Sequence, residues 1–311
     1  MKLGSGLPRL TLPALIAIGL LAPALAGAAP PAARRVPGAA GASRFWGARR
    51  IRQALDHPAR PPRPTVSGPP EPSLAPGRPR RVAGTEALIS SVGIANTSAV
   101  EDRTNGRVFG IDPRLGPYSC SGTSLDTPNG SMVLTAGHCV VEARRWGRDL
   151  VFIPAFDHGR RPFGAFPAET VYTTPQWRQS ENTDFDVAVL QVKPNQFGTL
   201  AEVVGSRGYV TGRSRFTAFQ IFGYPAGALD GEELRSCMTH GLGSDPLTIG
   251  LGGPPTVPSR CNMAAGSSGG AWLAEGQYIN GLTSYGYARN FTRLYSPYFG
   301  AAVGSFLSGL P

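Results

Sequence analysis

Short apolar runs, four to eight residues long and separated by stretches rich in Gly, Pro, Asn and Ser, mark the chain from residue 87 onward. A first set occupies 87–94, 107–111, 132–135, 151–156, 170–173 and 186–192, and a second occupies 216–222, 271–274 and 278–284. Runs of this length bounded by turn formers predict β-strands, and their grouping predicts two successive β units, at about 85–198 and about 199–311. At the end of the chain Phe299, Val303, Phe306, Leu307 and Leu310 recur at helical spacing on one face. That pattern predicts a C-terminal helix, which Gly300 and Gly304 weaken. No fixed-period repeat is present in this part, so repeat architectures are set aside. The 41 glycines and 30 prolines, with only 16% charged residues, fit the same all-β reading.

The chain before residue 82 has a different character. Residues 1–81 carry 13 Lys and Arg against Asp56 and Glu71, whereas the remaining 230 residues carry 17 basic and 18 acidic groups. The overall charge of +10 therefore belongs to the N-terminal part, and the globular part is nearly neutral. This argues against nucleic acid as a partner of the globular domain. Lys2 and Arg9 precede an apolar run at 10–25, with small residues at Ala24, Ala26 and Ala28. A membrane-spanning helix needs about 20 apolar residues; this shorter run, broken by Pro13 and Pro23, reads as a signal peptide over 1–28, leaving no membrane span after its removal. From 29 to 81 the sequence alternates Pro, Ala, Gly and Arg with few large apolar residues, and composition predicts a disordered, Arg/Pro/Ala-rich pro-segment. Four cysteines, all beyond it, fit an exported protein with two disulfides.

Chemistry concentrates in three places. In Ala265-Gly266-Ser267-Ser268-Gly269-Gly270 a serine lies among small residues that leave its hydroxyl approachable. Serine needs a neighbouring base, normally a histidine oriented by an acidic group. The stretch 266–270 also matches the G-x-S-x-G elbow, but no histidine follows it, and the Ser, acid, His order of α/β-hydrolases cannot be completed. Of the four histidines, His138 alone ends a strand-like run, 132–135. Cys139 adjoins it, and a bridge to Cys120 would pin the backbone beside the base, worth about 3 kcal/mol in the chain-entropy model. Asp186 opens the apolar run 187–190 and is the first choice for the acid, with Asp184 as the alternative. No C-x-x-C pair or H-E-x-x-H helix is present, so a zinc protein is disfavoured and no metal or other cofactor is expected.

Taken together, Thr135-Ala136-Gly137-His138-Cys139, Asp186-Val187-Ala188-Val189-Leu190 and Gly266-Ser267-Ser268-Gly269-Gly270 resemble the chymotrypsin-like serine peptidases, in the same order His, Asp, Ser. The resemblance covers about residue 82 to the C-terminus. It implies two six-stranded antiparallel β-barrels with the active site between them, His138 and Asp186 coming from the first and Ser268 from the second. Ser268 would attack the scissile carbonyl, His138 would relay its proton, and Asp186 would fix the imidazole tautomer. The N–H groups of Gly266 and Ser268 would form the oxyanion hole. The resemblance also places Asn262 near the pocket base beside Met263, and Thr283, Ser284, Tyr285 and Gly286 along the strand that meets the substrate. No acidic residue there selects Lys or Arg.

Tyr118-Ser119-Cys120-Ser121-Gly122-Thr123 and the stretch 129–140 are more similar to bacterial branches of the family, which include glutamyl endopeptidases. Those place a histidine where Thr283 stands, so glutamate specificity is not implied. Many animal members have Asp where Ser267 stands, to pair with a freshly cut terminal amine. Arg80-Arg81-Val82-Ala83-Gly84 resembles a processing site of a zymogen, but activation through that pair is not available to a serine. Cys237 and Cys261 are left to pair if Cys120 joins Cys139, one of three connectivities that four cysteines allow. The implied protein is a secreted, monomeric endopeptidase acting on polypeptides; an inactive relative kept as a binding module is the alternative.

Overall fold

The structure is a computed structural model, and it describes Met1 and residues 30–64, 77–86, 103–226, 230–263, 265–287 and 292–311. The signal-peptide reading, apart from Met1, and the strand expected at 87–94 lie outside the described residues.

The strands, in chain order, are β1 (Ala32–Arg35), β2 (Arg80–Val82), β3 (Asn105–Asp112), β4 (Gly116–Leu125), β5 (Met132–Thr135), β6 (Val141–Glu142), β7 (Arg145–Trp146), β8 (Arg148–Pro154), β9 (Phe166–Thr173), β10 (Ala188–Val192), β11 (Tyr209–Thr211), β12 (Ala218–Gly223), β13 (Arg235–His240), β14 (Val257–Arg260), β15 (Ala271–Ala274), β16 (Tyr278–Leu282) and β17 (Arg293–Ser296). The helices are α1 (Ala42–Phe45), α2 (Ala48–Asp56), α3 (Pro175–Ser180), α4 (Leu200–Val204) and α5 (Ala301–Ser308). The fold is mostly β, with two units of chymotrypsin-like type.

The first unit is a closed barrel of six strands, β9-β10-β5-β4-β3-β8, sealed by pairing of β8 with β9. Its inner face carries Val108, Val133, Leu150, Phe152, Val171 and Leu190, all buried in the main core. The second unit is a six-stranded sheet, β13-β12-β15-β16-β11-β2, antiparallel except for the β11–β16 pair. The ribbon β14–β17 joins it through the bridges Gly241↔Ser259 and Tyr285↔Tyr295. Helix α5 packs Val303, Phe306 and Leu307 into the main core, as their spacing requires.

The N-terminal part departs from the compositional reading. Part of the segment expected to be disordered, residues 30–64, is ordered: β1 pairs antiparallel with β9, and α1 and α2 follow. The reason lies in the barrel wall. Side chains alternate across a strand, and Phe109, Ile111, Val151 and Ile153 point away from the barrel interior yet are apolar. Trp46, Ile51, Ala54 and Leu55 cover them in a second cluster with Phe156 and Tyr224. A few well-placed apolar residues therefore order a segment whose average composition is unfavourable. Residues 80–82, read as a processing site, form the edge strand β2 against β11.

Candidate active site

Strand β5 is buried along its whole length and runs into a single tight turn, Gly137–Cys139, that carries His138. The Cys120–Cys139 disulfide ties that turn to β4, with Cα atoms 6.2 Å apart. Antiparallel pairing of Ala188 with Thr135 sets Asp186 opposite the turn. Asp186 accepts from the His138 backbone N–H at 2.7 Å through Oδ1, and its Oδ2 lies 2.8 Å from His138 Nδ1. The Ser284 hydroxyl donates to the same Oδ2. A carboxylate so engaged holds the proton of the imidazole on Nδ1 and leaves Nε2 as the basic nitrogen. Nε2 is buried and has no hydrogen-bond partner among the described residues. Gly137 is needed for this approach, because a Cβ there would lie 2.6 Å from the Trp177 ring and 2.8 Å from Asp186 Oδ1. Trp177 is held by α3, whose N-cap Thr174 accepts from the Trp177 N–H.

Ser268 precedes β15 in a loop that two glycines in the left-handed region make possible, Gly266 at φ 94° and Gly269 at φ 82°. The Ser268 carbonyl accepts from Ser121 N–H at 2.7 Å and lies 3.8 Å from Cys139 Sγ, which brings the serine beside the histidine turn. Its hydroxyl makes no hydrogen bond with a described residue, so the contact with Nε2 is open in this structure; such contacts commonly tighten only when substrate binds. The Ala265 carbonyl is taken by Ala226 N–H at 2.7 Å. Because the peptide is planar and trans, the Gly266 N–H points the opposite way. Neither it nor the Ser268 N–H has an acceptor among the described residues.

Sequence reasoning missed Arg107. It is fully buried on β3 and donates to the carbonyls of Tyr224 at 3.0 Å and Gly266 at 3.1 Å and to the Ser119 hydroxyl. Burial lowers its pKa to about 9, against a smaller opposing effect of Tyr224. The Ser121 hydroxyl also donates to Gly266, at 2.8 Å. The loop is thus fixed from the first barrel. The only hint in the sequence is a cation inside an apolar strand. Ser267 is buried, and a Cβ on Gly223 would fall 2.6 Å from its Cβ.

Asn262, Met263, Thr283, Ser284, Tyr285 and Gly286 line one cavity of about 290 Å³ together with Ser268. Met263 is buried but Asn262 is exposed, so Asn262 forms part of the wall instead of a closed base. Among the described residues no carboxylate lines this cavity. The Thr283 hydroxyl is taken by Trp272 Nε1 at 3.0 Å, and Tyr285 stacks on Tyr295 with ring centroids 4.9 Å apart. Asp184, the alternative acid, turns away from His138 to face Gly253, and burial pushes its carboxyl up to about 7. Cys237 and Cys261 form the second disulfide. Cys120, Cys139 and His138 cluster within 4.8 Å, but both sulfurs are spent in the disulfide, so they are no donor set for a metal.

A closed barrel and a second sheet, meeting at an oriented imidazole beside a glycine-framed serine, define the class of chymotrypsin-like serine peptidases. The chain belongs to the trypsin family: the family model described as Trypsin matches residues 114–307. Among solved structures it is similar to the thermostable serine protease AL20 from an extremophilic microorganism, at 29% identity over 68% of this chain and 98% of that one, with a TM-score of 0.62. It is also similar to the protease Anisep from Arthrobacter nicotinovorans, at 31% identity over 72% and 97%, with a TM-score of 0.60. A Glu endopeptidase shares the fold at 20% identity, 78% and 98% coverage and a TM-score of 0.53. No curated protein matches the sequence. The family and these relatives support proteolytic function, of the hydrolase class.

Proposed function

We propose that the protein is a secreted serine endopeptidase in which Ser268 is the nucleophile, His138 the general base and acid, and Asp186 the orienting carboxylate. The observation that carries this reading is the two-point grip of Asp186 on His138, through the backbone N–H and Nδ1. That grip supports Nε2 as the base that serves Ser268. Attack by the Ser268 hydroxyl on a peptide carbonyl passes its proton to Nε2, and the amide donors of Gly266 and Ser268 receive the developing oxyanion. Collapse gives an acyl-enzyme as the leaving amine takes the proton from His138; water then repeats the sequence in reverse order. Secretion is supported by the apolar run at 10–25 and by the two disulfides. Polypeptides are the substrates, and the protein acts as a monomer with no nucleic-acid partner.

A small activated ester tests the assignment without requiring a wide cleft. Folded protein mixed with p-nitrophenyl acetate is expected to release a burst of nitrophenol stoichiometric with protein, followed by slow turnover, and Ser268→Ala is expected to abolish the burst. Absence of a burst from folded wild-type protein would contradict the reading and favour an inactive binding module.

A further inference from the structure

The ordered N-terminal segment does more than cover the barrel wall. Trp46 is fully buried, with its ring centroid 5.5 Å from that of Phe109, and its Nε1 donates to the Asp149 carbonyl at 2.5 Å. Ile51 and Leu55 of α2 are buried in the same cluster. These anchors aim the chain that follows α2 at the cleft. Pro58 forms a bridge with Ser119 of β4, and the Ala59 N–H donates to the Ser119 carbonyl at 2.9 Å. His57, Pro58, Ala59 and Arg60 form one wall of a cavity of about 370 Å³ whose other walls include His138, Val140 and Glu142. One residue further, Pro61 forms part of the cavity that holds Ser268 and Tyr285. The segment therefore passes from the His138 flank to the pocket flank of Ser268.

Its direction is decisive. The acyl half of a substrate sits at the pocket, because the pocket selects the residue that contributes the carbonyl, and the leaving half lies on the His138 side, because His138 protonates the leaving amine. A substrate thus runs from the pocket toward the His138 flank, whereas residues 58–61 run from that flank, at Ser119, to the pocket, and the Pro58–Ser119 bridge is parallel. A reversed chain presents its peptide groups with the wrong polarity for attack. Pro58, Pro61 and Pro62 also lack the N–H groups that would pair it fully as a strand.

We propose that residues 57–64 are an inhibitory strap, seated in the cleft in the direction opposite to a substrate and held by Trp46, Ile51 and Leu55, so that the full chain is a latent peptidase. The proposal rests on the peptidase reading above. It supplies latency without the terminal-amine switch that Ser267 rules out, since the block is steric and the oxyanion loop is already held by Arg107 and Ser121.

The test compares full-length wild-type protein with Trp46→Ala, which removes the anchor, and Ala59→Pro, which removes the donor to Ser119. The nitrophenyl ester burst serves as the measure of intact sites, casein cleavage as the measure of access, and intact mass after long incubation as the measure of self-cleavage. Trp46→Ala, deleting a buried aromatic anchor, is expected to raise casein turnover per burst-active site by at least about tenfold; Ala59→Pro, losing one hydrogen bond, should raise it several-fold, or by roughly fivefold. Wild-type protein is expected to leave the bonds of 57–64 uncut. Equal casein turnover per site in all three proteins would overturn the strap while leaving the peptidase intact. Self-cleavage within 57–64 would overturn the reversed direction. A missing burst in every form would overturn the peptidase reading, and the strap with it.

Discussion

Asp184 and Asp186 stand two residues apart and end in opposite surroundings. Asp186 is fully buried but receives the His138 backbone N–H, the imidazole and the Ser284 hydroxyl, which together replace its water. Asp184 is as deeply buried, and desolvation outweighs the pull of Gly253 N–H and Arg215, raising its carboxyl to about 7. An unfolded aspartate titrates at about 3.9, so between these values the folded state binds the proton more tightly. Stability from this group is present below about pH 4 and is lost as pH rises through about 7. Asp184→Asn is therefore expected to flatten the fall in melting temperature between pH 5 and pH 8; parallel falls in wild type and variant would contradict it. Arg107 is a buried cation, and its work is positional. Arg107→Met is expected to lower kcat for the nitrophenyl ester by about tenfold or more while KM changes less than about twofold, since it acts through the Gly266 loop and not through substrate contact. Arg107→Lys should recover part of the loss. A change confined to KM, or equal loss in both variants, would leave Arg107 a packing residue only.

At the level of elements, the turn Gly137–Cys139 and the loop 265–270 depend on devices outside themselves. The Cys120–Cys139 bridge closes a loop of sequence separation 19, and replacing both cysteines by alanine is expected to cost about 3 kcal/mol in the chain-entropy model. A thermal or urea unfolding curve reads this directly, and an unchanged midpoint would contradict it. Legibility in the sequence followed the same division. Runs 107–111, 132–135, 271–274 and 278–284 fall on β3, β5, β15 and β16 because they are apolar over a strand's length. Strand β4, with Ser119, Ser121, Thr123 and Ser124, was not legible: its polar side chains are buried, and Ser121, Thr123 and Ser124 are hydrogen-bonded to Gly266, Asn105 and Gly205. Strand β11 has only three residues, and β17 opens on an arginine and closes on a serine, so neither forms an apolar run. The triad candidates were visible because nucleophile, base and acid come with fixed neighbours. Arg107 was not, since the carbonyls it holds belong to Tyr224 and Gly266, more than 100 residues away.

For the whole molecule, the first barrel has two apolar surfaces, and this decides the role of the described segment 30–64. The inner surface makes the main core, and the outer surface of β3 and β8 needs a second layer, which Trp46, Ile51 and Leu55 provide. Average composition hid that layer because a net basic, proline-rich stretch needs only a few large apolar side chains to dock. The same layer delivers residues 57–61 to the cleft, so cover and access are set by one segment. Among the described residues no helix is long and apolar enough to cross a membrane. The central claim remains chemical: a serine of ordinary reactivity is made nucleophilic by an imidazole that Asp186 orients. It is tested most directly by treating the folded protein with a small fluorophosphonate and mapping the adduct by mass spectrometry, with His138→Ala alongside. The expected result is a single adduct on Ser268 in wild type, formed at least about a hundredfold more slowly in the variant. Adducts elsewhere, or equal rates in both proteins, would contradict it.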